Sequence, residues 1–386
     1  MLRILCTSYL APTAKSGVTT YYKKIAEYFG NDAEIEIFVV TVADASRIWR
    51  KLAGLARKII SFFSFGNKDG IKYAFEFKNR MQIYFALRPY LNKRFDLIHA
   101  QDILSGIVAK NRFHNKVPLI LTCHFNDNPV EEDMIKYNFS ELKRKNLEKQ
   151  YSLKFAQAGG FIFVSDYAYH KAKKLLQGSE VVKIIRNGAL FNWSKSNDDI
   201  DDKVSKGRFS IVNVGYIDER KNQKIFIRLA REFIKNGFDD FIITLVGDGP
   251  SLSEIKRQVT EENMSRYFNF TGWIKDTQKY LAKADLLIHT AINDNCPYAV
   301  IEAISHQVPA LGFNVGGMPE ILDRQWLFEK DDYKAMASFT MKYSHQLPEI
   351  ASSQYDRIKY SFSLEQQFTS LKSVYQDMAL ESAGIA

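Results

Sequence analysis

An α/β fold of two doubly wound domains facing each other across a cleft is what this chain predicts. Short apolar runs alternate with helical patterns through both halves, a polar charged stretch divides the halves, and 386 residues are too many for one ordinary core. In the first half LRILCTSYL, AEIEIFVVTV, FDLIHAQD, VPLILTCHF and GGFIFVS read as buried strands, each followed by a turn and a helical pattern such as Thr19 to Phe29. In the second, FSIVNVGYI, FIITLVGDG, YFNFTGW, ADLLIHTA and VPALGF repeat the alternation. The predicted division is a first domain over 1–196, a linker over 197–207, a second domain over 208–360 and a final helical segment over 361–386. Asp198, Asp199, Asp201 and Asp202 in the linker mimic a metal-binding pattern, but carboxylates on a solvated loop lack the rigid placement a divalent ion needs.

A hydrophobic content of 46% suffices for two cores, yet no apolar run is long enough to span a membrane. The first residues, MLRILC, lack the pattern of a signal peptide, so a cytoplasmic protein is expected. Cys6, Cys123 and Cys296 lie in or beside apolar runs without paired spacing and read as small buried hydrophobes. Charge is uneven. Residues 1–195 hold 31 Lys and Arg against 17 Asp and Glu, a net of +14, whereas the remainder holds 22 against 27, a net of −5. A basic half suits an anionic partner, but no nucleic-acid-reading motif is present, and no nucleic acid is expected. A nucleophile elbow, His-Glu-x-x-His and a P-loop are all missing, which argues against serine hydrolase, zinc protease and NTPase chemistry.

Ser46 to Ser64 (SRIWRKLAGLARKIISFFS) stands apart. On a helix, Ile48, Trp49, Leu52, Leu55, Ala56, Ile59, Ile60, Phe62 and Phe63 share one face and Arg47, Arg50, Lys51, Arg57 and Lys58 the other, with no acidic residue between Asp44 and Asp69. That pattern fits either a helix lying at an anionic membrane surface or an ordinary amphipathic helix packed on the sheet.

From Ile211 to Glu320 the motifs NVGYIDERKNQ, LVGDGP, FTGW, ADLLIHTA, NDNCPYAVIEA and GGMPE follow one another in an order that resembles the GT-B glycosyltransferases, and within them the retaining enzymes of glycosyltransferase family 4. The amino-terminal half is similar more loosely, through Lys15-Ser16-Gly17, DLIHAQD, LTCHFND, FVSDY and Arg186-Asn187-Gly188. The resemblance implies two Rossmann-like domains. It also implies a hexosyl- or N-acetylhexosaminyl-transferase that moves sugar from a UDP- or GDP-sugar to a glycan or lipid-linked acceptor, with no bound metal or other cofactor. The final helix would cross back to the first domain.

By the same resemblance, Lys221 grips the donor diphosphate, with Arg220 supplying the charge of a family arginine that Tyr216 replaces here. Ser16 and Gly17 form the loop over the diphosphate. Glu302 binds the ribose hydroxyls, and Trp273 and Ile274 lie against the nucleobase, although Trp273 equally suits plain core packing. Asp294 stands where the family has glutamate, touching the transferred sugar with a reach about 1.5 Å shorter. Asn295, Cys296, Pro297 and Tyr298 continue the sugar-binding stretch, which Pro297 stiffens. His124 lies near the reacting carbon, and His99 and Asp102 on the acceptor side. A non-catalytic GT-B scaffold and a sugar-nucleotide epimerase are the competing expectations.

Overall fold

Residues 1–178, 180–191 and 207–382 are described by the structure, a computed structural model. The predicted linker 197–207, with its four aspartates, lies outside them except for Gly207. The chain forms two compact units, Met1–Ile185 with Phe368–Ala386, and Arg186–Gln367.

The first unit is built on strands β1 (Leu2–Ser8), β2 (Ile35–Thr41), β3 (Leu97–Ala100), β4 (Leu119–Cys123), β5 (Gly160–Phe163) and β6 (Val181–Ile184), in the order β2-β1-β3-β4-β5-β6. The second uses β7 (Phe209–Val214), β8 (Phe241–Val246), β9 (Phe268–Gly272), β10 (Leu286–His289), β11 (Ala310–Phe313) and β12 (Leu327–Phe328), in the order β12-β11-β10-β7-β8-β9. Pairing between these strands is parallel throughout. Parallel strands covered on both faces must be apolar on both, so β3, β4, β5, β8, β10 and β11 are buried at every residue. The edge strands β6 and β12 have no counterpart in the sequence reading. The first is half-exposed and carries Lys183, and the second is only two residues long.

Helices α1 (Gly17–Tyr28), α2 (Arg47–Phe63), α3 (Lys68–Ala86), α4 (Ile103–Arg112), α5 (Pro129–Lys136) and α6 (Arg144–Phe155) follow the strands of the first unit. Ser16, Asp102 and Asn128 cap α1, α4 and α5 by accepting hydrogen bonds from first-turn amides. The carboxy-terminal helix Leu364–Ser382 places Phe368, Leu371, Tyr375 and Met378 on one buried stripe. Phe368 stacks on Tyr28 at 4.3 Å, and Lys372 pairs with Asp32 at 3.0 Å and Glu34 at 2.9 Å, fastening this segment to the first unit. Among the described residues, no helix is long and apolar enough to cross a membrane.

The unit division falls at Arg186 rather than in the polar stretch, because Arg186, Asn187 and Gly188 bond within the second unit. Gly188 donates its amide to Gln367 at 2.8 Å, and a Cβ there would lie 2.6 Å from the Ser363 carbonyl oxygen. Gly188→Ala is therefore expected to lower stability by about 1–3 kcal/mol through overpacking against rigid backbone. Urea denaturation measures it, and an unchanged midpoint would contradict the close approach.

Candidate active site

In the second unit, order along the sheet reverses between β7 and β10, the place where open parallel sheets bind ligands beyond their strand ends. The loop after β7 is fastened to the loop after β10. Thr290 Oγ1 donates to the Lys221 carbonyl at 2.8 Å, the Ile292 amide to the Arg220 carbonyl at 2.9 Å, and Arg220 Nη1 to the Asn293 carbonyl at 3.1 Å. Asp218 accepts the Lys221 amide at 2.8 Å, turning the lysine side chain toward β10.

There the Lys221 ammonium pairs with the Asp294 carboxylate, which also accepts from His289 Nε2 at 3.2 Å. Side-chain exposures of 16%, 11% and 2% for Lys221, Asp294 and His289 put this charge cluster largely out of water. Burial opposes ionisation of Asp294, but Lys221 and His289 outweigh it and hold the carboxyl below the usual carboxylate range. Burial, with Lys221 and Arg220 nearby, lowers the His289 pKa despite Asp294, so the neutral ring donates its Nε2–H. His289 was not singled out from the sequence. The available signal was a histidine ending the apolar strand of ADLLIHTA, five positions before Asp294.

Asp294 also fixes backbone. Its carbonyl accepts the Gly317 amide at 2.9 Å, and Gly316, at φ +57°, passes so close that a Cβ would collide with that carbonyl. Asn295 and Cys296 are buried, and burial pushes the Cys296 thiol up to about 12, so it is no thiolate nucleophile at neutral pH. Asn187 Nδ2 donates to the Cys296 carbonyl at 2.8 Å, and Arg186 pairs with Glu320 at 3.0 Å, drawing the Arg-Asn-Gly segment and the Gly-Gly-Met-Pro-Glu turn onto the same stretch. Pro297 and Tyr298 open the helix Tyr298–Ser305, on which Glu302 is half-buried. Trp273 is 54% exposed, which rules out its reading as core packing, and Ile274 beside it is half-buried.

The first unit also reverses strand order, between β1 and β3. Beyond these strand ends and β4 lies a cavity of about 300 Å³, lined in part by Tyr9, Gln101, Asp102 and His124. Ser16 and Gly17 are at the start of α1, whose Tyr21 meets the His124 ring edge-on at 4.8 Å. His124 Nε2 is 2.9 Å from Gln101 Oε1, and Gln101 Nε2 is 3.3 Å from His99 Nε2. An amide oxygen only accepts and an amide nitrogen only donates, so His124 carries its proton on Nε2 and leaves Nδ1 as an acceptor.

His99 does not reach the cavity, contrary to its expected place on the acceptor side. It is fully buried, with Nδ1 2.7 Å from Tyr375 OH and Nε2 2.6 Å from Thr122 Oγ1, so its ring is consumed in joining the sheet to the carboxy-terminal helix. Asp102 does line the cavity. Its carboxylate accepts the Tyr9 amide at 2.8 Å and the Ser105 amide at 2.7 Å, while burial raises its pKa to about 6.

Burial lowers the pKa of both His99 and His124 to about 3 from an ordinary 6.5. Their stabilising contribution is complete above pH 6.5 and is lost as pH falls toward about 3, because the unfolded chain takes up these protons first. Urea denaturation should show stability falling on acidification through this window, with a shallower fall in His124→Asn. Equal slopes in the two proteins would contradict a ring kept neutral by desolvation.

Comparison with known proteins covers both units. Residues 15–189 match the family model described as Glycosyltransferase Family 4, and residues 208–343 match the one described as Glycosyl transferases group 1. The chain is 24% identical over 303 residues to TuaC of Bacillus subtilis, a protein named as a teichuronic acid biosynthesis glycosyltransferase, across 74% of this chain and 72% of that protein. It is 22% identical over 221 residues to an Escherichia coli UDP-Gal:alpha-D-GlcNAc-diphosphoundecaprenol alpha-1,3-galactosyltransferase, across 54% of this chain and 57% of that one. Anabaena HepE, solved in complex with UDP, superposes with a TM-score of 0.67 at 16% identity over 97% of this chain and 100% of that one, which shows a shared fold. With both halves matched and the order of motifs kept, the chain belongs to the GT-B glycosyltransferases of family 4.

Proposed function

We propose that this glycosyltransferase moves a sugar from a nucleotide-diphosphate donor to a hydroxyl of a glycan or lipid-linked acceptor, with retention of anomeric configuration, in cell-surface polysaccharide synthesis. The buried Lys221–Asp294–His289 cluster at the β7/β10 reversal is the observation that carries this reading. Charge develops on the diphosphate as the glycosidic bond breaks, and an ammonium held in a poorly solvated place stabilises it more than one in water does. Lys221 supplies that charge with Arg220 beside it, and amides at the start of the helix Tyr298–Ser305 add partial charges. Asp294 holds Lys221 in place and, with Asn295 to Tyr298, faces the transferred sugar.

Glu302 takes the ribose, and Trp273 with Ile274 the base. The UDP bound by HepE and the UDP-Gal in the name of the E. coli relative support a UDP-sugar. His124, neutral and with Nδ1 able to accept, orients an acceptor hydroxyl in the cavity of the first unit. The leaving diphosphate removes the incoming proton on the same face, with no resident metal. Lys221→Ala and Glu302→Ala are each expected to lower transfer at least about tenfold, or roughly 1.4 kcal/mol, in folded protein. Wild-type rates in both variants would refute the site.

A second part of the proposal places the enzyme peripherally on the cytoplasmic face of a membrane. Helix α2 packs against α3, with Ala53 buried, Trp49, Ala56 and Ile60 half-buried, and Trp49 stacked 3.4 Å from Phe85. The neighbouring stripe of Ile48, Leu52, Leu55, Ile59, Phe62 and Phe63 remains exposed, Phe62 by 73%, and Phe65 follows at 86%. Arg47, Lys51 and Lys58 flank it, and each cation near anionic lipid contributes about 1 kcal/mol. An apolar stripe edged only by cations supports docking on an anionic bilayer, and a stretch packed wholly on the sheet would not leave it uncovered. Sedimentation with phosphatidylglycerol vesicles at low salt should capture the wild type and lose most of an Ile59→Glu/Phe62→Glu double variant. Failure of the wild type to bind would overturn this part.

A further inference from the structure

The cavity of the first unit has walls that discriminate between acceptors. Its far side is an ionic network joining α3, α5 and α6. Lys72 pairs with Asp133, Lys154 with Glu76 at 3.1 Å, and Tyr151 OH donates to Asp133 at 2.6 Å. Lys136 lies 4.2 Å over the Phe75 ring, and Tyr9 meets the same ring edge-on at 6.0 Å. Burial raises the pKa of the Tyr9 hydroxyl, and the nearby Asp102, Glu132 and Asp133 carboxylates raise it further. Three lysines thus line the space together with four carboxylates, Glu76, Asp102, Glu132 and Asp133.

Resting on the transferase reading above, we propose that this cavity holds the reacting end of a neutral, hydroxyl-rich saccharide, and that the hydroxyl glycosylated belongs to a sugar rather than to a lipid phosphate. Each of three acceptor chemistries meets these walls differently. An acyl or prenyl chain would cover seven charged side chains and satisfy none, at a large desolvation cost. A phosphate would gain the lysines, but Lys72 and Lys154 are already paired with carboxylates, and the four carboxylates of the lining repel it. Sugar hydroxyls both donate and accept, so they satisfy ammonium and carboxylate alike, while Phe75 and Tyr9 offer apolar faces to ring C–H groups.

Helix α3 carries Lys72, Phe75 and Glu76 on its cavity side and also packs against α2, whose outer stripe is the proposed lipid contact. A sugar in the cavity with its lipid anchor at α2 fits one acceptor that bears both. It follows that another reaction, one that places a first sugar on the carrier, must supply this substrate. This chain would then extend a glycan rather than start one.

The test offers octyl glycosides of neutral hexoses and N-acetylhexosamines, and separately octyl phosphate, to the full chain with UDP-sugars, reading UDP release and product mass. The expected result is transfer to a glycoside and none to octyl phosphate. Tyr9→Phe and Glu132→Gln, which keep shape, should each raise the glycoside KM about three- to tenfold, as loss of one hydrogen bond does. Transfer to octyl phosphate with the glycosides inert, or an unchanged glycoside KM in both variants, would overturn the assignment. Binding of UDP-sugars, followed separately by thermal shift, tests the transferase reading itself. Donor binding without glycoside transfer counts against the saccharide assignment, and loss of donor binding counts against the function.

Discussion

Much of the second unit is arranged around one buried ion pair, Lys221 with Asp294. Two opposite charges taken from water are costly unless each is held by the other and by further hydrogen bonds, and here His289 and the fastened loops after β7 and β10 meet that requirement. The consequences spread through the backbone. Asp294 can be placed only if Gly316 passes without a side chain, and Cys296 only if Asn187 caps its carbonyl. Residues far apart in sequence, from Arg186 to Glu320, are thereby bound to one short stretch that leads into the helix carrying Glu302.

The first unit solves a different problem. Its two histidines, His99 fully buried and His124 half-buried at the cavity, are kept neutral by desolvation and ordered by the Gln101 amide, whose two ends are chemically distinct and so specify which nitrogen of each ring holds a proton. Tyr375 from the carboxy-terminal helix completes that relay, so the last helix is part of the polar core beneath the cavity as well as a cover for the sheet. The cavity walls then combine ion pairs and rings, a lining suited to hydroxyl-rich matter.

The strands were legible in the sequence because parallel strands covered on both faces must be apolar throughout. β6 and β12 were not, because a half-exposed edge and a two-residue strand leave no such run. The motif order named the family, yet it could not show that Lys221 and Asp294, expected to touch different parts of the donor, also hold each other. That contact depends on two loops being fastened side by side. His99 and Asp102 illustrate the same limit. His99 lies within the apolar strand β3 and Asp102 just after it, but the tertiary partners Tyr375 and Thr122 turn the ring inward, while the cap of α4 keeps the Asp102 side chain at the cavity. The α2 pattern was open between two readings, and only its packing on α3 separated a packed stripe from an exposed one.

The most direct test of sugar transfer with retention is NMR of the products formed from an α-linked UDP-sugar and a neutral glycoside acceptor, following the anomeric proton of the new linkage. The account predicts free UDP and an α-linked product. A β-linked product would contradict retention, and an isomerised donor with no new linkage would contradict transfer itself.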